Sequence, residues 1–169
     1  VEESLRKAVE SLISRNAELA NQVINIDEKI DQIEVDIEEE CLKILALHQP
    51  VASDLRYVVA VLKINNDLER IGDLSVNIAE RAAYLSEHRP LGMPLDFRGM
   101  ADLTQMMLKG CLDALVNLDV NLAQQVRASD DEVDIMNRDM YIILQNHMRE
   151  NPDQIPESLH MLSASRHLV

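Results

Sequence analysis

Aromatic residues are scarce in this chain, and so are the residues that form turns. It has no tryptophan, one phenylalanine and three tyrosines among 169 residues, with only four glycines and five prolines. A sheet with many tight turns needs more glycine and proline than this. The remainder is rich in leucine, isoleucine, valine, alanine, glutamate and aspartate, which is typical of long helices. We therefore predict an all-α fold.

Positive charge is also in short supply. The formal net charge is −14 at pH 7, from 30 acidic and 16 basic residues. So acidic a surface repels the phosphates of a nucleic acid, which argues against nucleic acid as a partner. Metal cations or basic protein surfaces suit this charge better.

The chain has only two cysteines and no long apolar run. Cys41 and Cys111 each lie in a helical apolar pattern without Cys-x-x-Cys spacing, which predicts two buried thiols in a reducing compartment. The longest apolar stretch is short, around residues 57–62, and no basic segment followed by a hydrophobic one opens the chain. We therefore expect no membrane insertion and no secretion signal.

The apolar residues that are present repeat with helical spacing. In the first half they recur every three or four positions from Leu19 to Ile44, which predicts one long helix. A shorter helix precedes it, with Asn16 as a break or cap. Ser53 and Asp54 are the N-terminal signal of a second long helix, whose stripe continues to about residue 85.

The chain divides where proline and glycine are concentrated, at residues 86–97. We place one domain at 1–88 and a second at 89–169. A stripe that begins at Thr104, passes Leu122 and continues toward residue 143 repeats the first half at an offset of 103 positions.

A turn at 151–156 then precedes a last helix, from Ser158 to Val169. These patterns predict a tandem repeat of two antiparallel three-helix bundles, the second truncated in its last helix.

The repeat retains acidic residues as well as apolar ones. The segment from Leu19 to Asp31 and the segment from Leu122 to Asp134 share a Leu-Ala-x-x-Val pattern followed by an Asp-x-x-x-Asp pair. Each aspartate follows a residue of the apolar stripe by one position, so it lies about 100° around the helix at the edge of the buried face. The next helix of the first half has the same geometry at Glu69 and Asp73.

These acids form like-charged pairs one helical turn apart: Asp27 with Asp31, Glu69 with Asp73, and Asp130 with Asp134. Such pairs repel each other, and a multivalent cation turns the repulsion into coordination. Carboxylate oxygens suit magnesium, manganese, calcium or iron. Facing helices of a bundle can assemble such sites. The alternative interpretation is a solvated acidic face without a ligand.

Four motifs occur in order around the second long helix. They are Gln49-Pro50, Asp54-Leu-Arg56, Leu68-Glu-Arg-Ile-Gly-Asp73 and Asn77-Ile-Ala-Glu80. With this order and spacing the chain resembles the PhoU family of bacterial phosphate-signalling regulators over nearly its whole length. The resemblance implies tandem three-helix bundles whose Glu/Asp-x-x-x-Asp motifs hold metal ions, iron or zinc in some members.

Carried over by residue, the resemblance implies two metal sites. The first uses Asp27, Asp31, Glu69 and Asp73, and the second uses Asp130 and Asp134. The second Glu-Arg-x-x-Asp motif would begin near Val169, where this sequence stops. We therefore expect a fragment or a truncated member, with one complete site and one half-built site. The metal is iron, zinc, manganese or magnesium.

The sequence contains no nucleophile with a base and no glycine-rich phosphate loop, so we predict that the protein is not an enzyme. The resemblance implies a cytoplasmic regulatory adaptor that contacts the ATPase of a phosphate ABC transporter and a sensor histidine kinase. It would restrain phosphate-starvation signalling and phosphate uptake. A homodimer remains open.

Two other functions remain open. One is a structural or oligomerising helical bundle. The other is a di-metal carboxylate enzyme, for which Glu157 and His160 have the Glu-x-x-His spacing, although a second copy of that motif is absent.

Overall fold

The computed structural model describes residues 1–169 and contains helices but no strands. Six α-helices follow one another along the chain, with a 3-10 turn at Pro152–Gln154 before the last. They are α1 Glu2–Ser14, α2 Ala17–His48, α3 Ala52–Ser86, α4 Phe97–Asn117, α5 Val120–Glu150 and α6 Ile155–Arg166. The predicted all-α fold is confirmed. No helix of the structure combines the length and the hydrophobicity that a membrane span requires.

Equivalent caps separate the first two helices of each half. The side chain of Asn16 accepts a hydrogen bond from the backbone N–H of Leu19 at 3.1 Å. Asp119, 103 positions later, accepts from the N–H groups of Asn121 and Leu122 at 2.9 and 3.0 Å. The prediction of one stripe from Thr104 through Leu122 was wrong, because this cap starts a new helix after Asn117.

Two other helix starts differ from the sequence interpretation. No side chain caps α3, because the Ser53 hydroxyl contacts the Asp54 carboxylate rather than a backbone N–H. Helix α6 begins at Ile155 rather than Ser158. Pro156 fits in its first turn, where a backbone N–H has no helical partner to lose.

The three helices of the first half pack as a bundle, with α3 against both α2 and α1. Residues 49–51 connect α2 and α3 tightly, so these two long helices run antiparallel. In the second half α5 packs between α4 and α6. Contacts of α1 with α4 and of α3 with α6 join the halves around one core of aliphatic side chains, which also includes Phe97, the single phenylalanine.

An arginine side chain fixes one end of the connection between the halves. Arg15, just after α1, donates from its guanidinium to the backbone carbonyls of Leu85 and His88 at the end of α3. The Leu85 carbonyl also accepts from the backbone N–H of His88 at 3.2 Å, so the guanidinium adds a second donor to it and a donor to the His88 carbonyl beyond the helix end. The chain then runs without regular structure to Phe97, as the proline and glycine content predicted.

The two cysteines have different environments. Cys41 of α2 is buried, as predicted, but Cys111 of α4 is exposed. The prediction of two buried thiols was therefore wrong for Cys111. Its apolar pattern is helical, yet no other helix covers that face of α4.

Candidate acidic site between helices 2 and 3

The packing of α3 on α2 brings together the acids that the sequence assigned to a first metal site. Burial, followed by the charges of Asp31 and Asp73, raises the pKa of Asp27. Burial also raises the pKa of Glu69, followed by the charge of Asp73 and then by charges on α2. The four carboxylates therefore share one electrostatic environment across the two helices.

Gly72 allows this close approach. A Cβ atom at this position would lie 3.2 Å from Cγ2 of Ile30 and 3.6 Å from Oδ1 of Asp27. The helix-interior glycine thus makes room for both an apolar contact and an acidic side chain of α2. Further along, the amide of Asn65 donates to the Glu34 carbonyl at 2.8 Å, which ties the same two helices together.

One oxygen of the site lacks any partner. Oδ1 of Asp27 is buried and makes no hydrogen bond. A buried carboxylate oxygen without a donor is costly, and neighbouring negative charges add to the cost. A proton or a cation at this position would remove both penalties.

The donor chemistry suits a hard cation, but the side chains do not converge as ligands. All four groups are carboxylates, and one of their oxygens is orphaned. No group of three or more acidic, histidine or cysteine side chains stands close enough together to hold a metal ion. The arrangement provides the right oxygen atoms near each other, and ligation would require side-chain rotation.

The second acidic pair has no comparable surroundings. Asp130 and Asp134 are exposed on α5. Asp134 lies at a cavity together with Arg138 and Arg166, two cations. The sole acid of α6 is Glu157. The structure therefore brings together the four acids of the first half. In the second half, α6 brings no acid to the pair of Asp130 and Asp134, unlike α3 in the first half.

Glu157 and His160, the residues with di-iron spacing, lie where α6 meets α3. The His160 ring stacks on Tyr84 with ring centroids 3.8 Å apart, and Tyr84 stacks in turn on His88 at 3.9 Å. Burial and the nearby Arg81 lower the pKa of His160. These contacts give His160 a packing role between the halves.

Sequence reasoning did not include Glu34 among the site residues. Its carboxylate is one of the charges that raise the pKa of Glu69. Its position three residues after Asp31, on the same helix face, was the available signal. The ring stack of Tyr84 and His160 had no signal in the sequence, because the two residues belong to different halves.

Comparisons with known proteins match nearly the whole length of the chain. The PhoU domain model matches residues 1–82 and 97–169. Among curated relatives, the phosphate-specific transport system accessory protein PhoU homolog of Aquifex aeolicus is 38% identical over 167 residues, which cover 99% of this chain and 76% of the relative. The homolog of Pseudomonas putida is 39% identical, and the match covers 99% of this chain and 66% of that protein.

Two solved structures share the fold. The crystal structure of PhoU from Pseudomonas aeruginosa has a TM-score of 0.95 and 38% identity, with 99% of this chain and 80% of that chain covered. The phosphate transport system regulatory protein PhoU from Streptococcus pneumoniae has a TM-score of 0.86 and 30% identity, with 99% and 78% covered. The tandem arrangement of three-helix units predicted from the sequence is thus confirmed.

Proposed function

Because the chain belongs to the PhoU family, we propose that it is a regulatory accessory protein of a phosphate transport system. The observation that carries this proposal is the match of 99% of the chain to proteins with that name, together with the TM-score of 0.95. The role is regulation by protein contact rather than catalysis.

Its partners are the ATPase subunit of a phosphate ABC transporter and a membrane sensor histidine kinase, which it contacts from the cytoplasm. Contact with both proteins restrains phosphate uptake and phosphate-starvation signalling. The net charge of −14 favours basic surfaces on these partners.

The exposed end of the α2–α3 hairpin supports a contact function. Five apolar side chains there are more than 40% exposed, and we call them the hairpin tip: Leu42, Leu47, Val51, Leu55 and Tyr57. Isolated exposed apolar residues are ordinary, but a cluster this exposed is typical of a protein-binding surface. The hairpin tip is therefore the first surface to test for partner binding.

Co-purification with the transporter ATPase and the kinase tests the adaptor role. We expect the chain to retain at least one of them, and we expect Leu47→Asp to abolish the interaction. Val116→Asp is the matched control, because Val116 of α4 is 73% exposed and Leu47 is 77% exposed. Failure to retain either partner at low salt would contradict the adaptor role.

The acidic site between α2 and α3 holds a metal ion in this proposal. Asp27, Asp31, Glu69 and Asp73 are its ligands, and a cation there would supply the positive charge that offsets their repulsion. The orphaned Oδ1 of Asp27 and the raised pKa values of Asp27 and Glu69 support this role. Iron, zinc, manganese and magnesium are the candidate ions. Asp130 and Asp134 supply a second, incomplete set of ligands.

A structural or oligomerising bundle is the second candidate function. The observation in its favour is that the acidic side chains do not converge as metal ligands. Under this alternative the acids are a solvated face, and their replacement by neutral residues leaves partner binding unchanged.

A further inference from the structure

A cavity rich in positive charge lies between α3 and α6, where the two halves of the chain meet. It has a volume of about 720 Å³ and eight lining residues, and we call it the α3–α6 cavity. Arg70, Arg166 and His167 line it, and no acidic residue does. The other lining residues are a serine and four aliphatic residues, of which only Val169 lies beyond His167. The packing of α6 on α3 therefore forms this cavity.

Helical spacing explains why basic residues gather at this junction. Arg70, Leu74 and Arg81 of α3 are separated by four and seven positions, so they lie on one face of the helix. On α6, Leu159 and Arg166 are likewise seven positions apart. Because α3 packs on α6, the two rows meet and bring arginines of both halves together.

These arginines have no carboxylate partner, although the chain has 30 acidic residues. Among the basic side chains, only Lys7, Lys43 and Arg98 form ion pairs. Nε of Arg81 is buried and makes no hydrogen bond. A buried donor on a charged group is costly when it is left without an acceptor. The positive charge at the junction is therefore uncompensated by the protein.

The effect of this charge is seen at His167. Burial, then the charges of Arg81 and Arg166, lower the pKa of His167. Nε2 of His167 lies 3.3 Å from the hydroxyl of Ser163, the serine that lines the cavity. An anion in the cavity would offset the repulsion among these groups.

An adjoining cavity does not supply the missing negative charge. It shares Leu162 and Arg166 with the α3–α6 cavity, and its one acid is Asp134. Arg138 lines the same adjoining cavity and balances that acid. The two cavities together thus remain positive in a chain whose net charge is −14.

We propose that the α3–α6 cavity binds the phosphate group of a small molecule. The planar guanidinium groups of Arg70 and Arg166 match phosphate oxygens with paired N–H donors, and Ser163 adds a hydroxyl donor. A phosphate group carries a charge of about −1.5 to −2 at pH 7 and has three acceptor oxygens. It therefore suits two arginines better than a carboxylate does. The proposal rests on the side chains of the cavity and does not depend on the phosphate-transport role.

The rest of the cavity fits an organic group attached to the phosphate. Leu74, Leu159 and Leu162 provide apolar walls. A volume of about 720 Å³ is in the range of pockets for small organic ligands and leaves most of the space free beside one phosphate group. A phosphate ester should therefore bind more tightly than the free ion.

Calorimetric titration of the full chain with inorganic phosphate, AMP and adenosine tests the proposal. We expect saturable binding of AMP at one site, weaker binding of inorganic phosphate, and no binding of adenosine. Binding of AMP identifies an ester as the ligand, whereas binding of inorganic phosphate alone identifies the free ion. Either result supports the site. Sodium chloride at matched ionic strength is the control for general screening.

Arginine variants locate the binding. Arg70→Ala and Arg166→Ala should each weaken AMP binding at least about tenfold, because each removes charge-assisted hydrogen bonds. Arg166→Lys keeps the charge but not the paired donors, so the loss should be smaller. Arg56→Ala is the matched control, since Arg56 is exposed on the same helix, about 21 Å from Arg70 along the axis.

A new acid in the cavity gives an independent test. Leu159 is 51% exposed, so we expect Leu159→Asp and Leu159→Asn to leave the helical circular dichroism unchanged. The aspartate would take the place of the anion beside the arginines and should abolish AMP binding. The asparagine has nearly the same size without the charge and should retain binding.

Four results would overturn the proposal. One is the absence of saturable binding of both AMP and inorganic phosphate at millimolar concentration. Another is equal weakening by Arg56→Ala and Arg166→Ala, which would indicate non-specific attraction. The third is adenosine binding as tight as AMP binding. The fourth is loss of AMP binding in the Glu69→Ala, Asp73→Ala double variant, which would place the phosphate on a metal at the acidic site.

Discussion

Gly72 of α3 lies directly against Ile30 of α2. A Cβ atom on Gly72 would come within 3.2 Å of Cγ2 of Ile30, closer than ordinary van der Waals contact. The same hypothetical atom would lie 3.6 Å from Oδ1 of Asp27. One position therefore sets both the spacing of the two long helices and the surroundings of the acidic site.

Gly72→Leu tests this spacing. A leucine side chain does not fit between the helices, so we expect it to lower the free energy of unfolding by about 1 to 3 kcal/mol. Urea unfolding followed by circular dichroism measures the change. Glu80→Leu is the control, because Glu80 is exposed on the same helix. Equal stability of Gly72→Leu and the parent chain would contradict the close packing.

Arg15→Met tests the connection between α1 and the end of α3. The guanidinium donates two charge-assisted hydrogen bonds to the carbonyls of Leu85 and His88, so its loss should lower the free energy of unfolding by about 1.5 to 3 kcal/mol. Arg98→Met serves for comparison, since Arg98 forms an exposed ion pair with Glu10 and should change stability by less than about 1 kcal/mol. Similar effects of the two substitutions would count against a capping role for Arg15.

The raised pKa values of Asp27 and Glu69 predict how stability depends on pH. The ordinary values are 3.8 for Asp27 and 4.5 for Glu69, and the folded state raises both. The folded protein then binds protons at these carboxyl groups more tightly than the unfolded chain does. The resulting contribution to stability is fully present below the ordinary pKa values and is lost as pH rises through the raised pKa values of the folded state.

With metal removed by a chelator, we therefore expect Asp27→Asn and Glu69→Gln to unfold at higher urea concentration than the parent chain at pH 7. The difference should shrink as pH falls toward 4, where the parent carboxylates become protonated. Asp130→Asn, an exposed acid of the second half, should show no such trend. A parent chain that is more stable than Asp27→Asn at pH 7 without metal would contradict the repulsion.

His160 predicts the opposite dependence. Burial, then the charges of Arg81 and His88, lower its pKa below the ordinary value of 6.5, whereas Glu157 opposes the shift. The pKa of His167 is lowered in the same way, first by burial and then by the charges of Arg81 and Arg166. Neutral His160 is thus favoured in the folded state, and its contribution to stability is lost as pH falls through the lowered value.

His160→Phe should retain the stack on Tyr84 and reduce the loss of stability below pH 6.5. Thermal melting at pH 7 and pH 5 measures the difference between the two chains. His48→Phe is the control, because His48 is exposed. An unchanged slope between the two pH values in His160→Phe would contradict the assignment.

The sequence predicted the parts of this structure that depend on local spacing. Apolar periodicity predicted the long helices, and the Asn16 cap and the proline-rich connection were found as expected. The apolar spacing continues across the α4–α5 boundary, which is why Asp119 was not recognised as a cap. Nothing local distinguishes Cys111 from Cys41, because exposure depends on whether another helix covers the site.

The candidate site was predictable to the level of helix faces. The spacing placed the acids of α2 and α3 at the edge of a buried face, and the structure brings those faces together around Gly72. The distances between carboxylates depend on side-chain rotamers and on what stands between them, which no spacing rule provides. The same holds for Glu34, whose influence on Glu69 acts across two helices.

The metal content of the purified protein tests the proposed acidic site most directly. Elemental analysis of chelator-free parent chain should find iron, zinc, manganese or magnesium in amounts comparable to the protein. The Glu69→Ala, Asp73→Ala double variant should lose this metal, while the Asp130→Ala, Asp134→Ala variant should keep it at the first site. A parent chain without metal, or a Glu69→Ala, Asp73→Ala chain with the parent's metal content, would contradict the assignment.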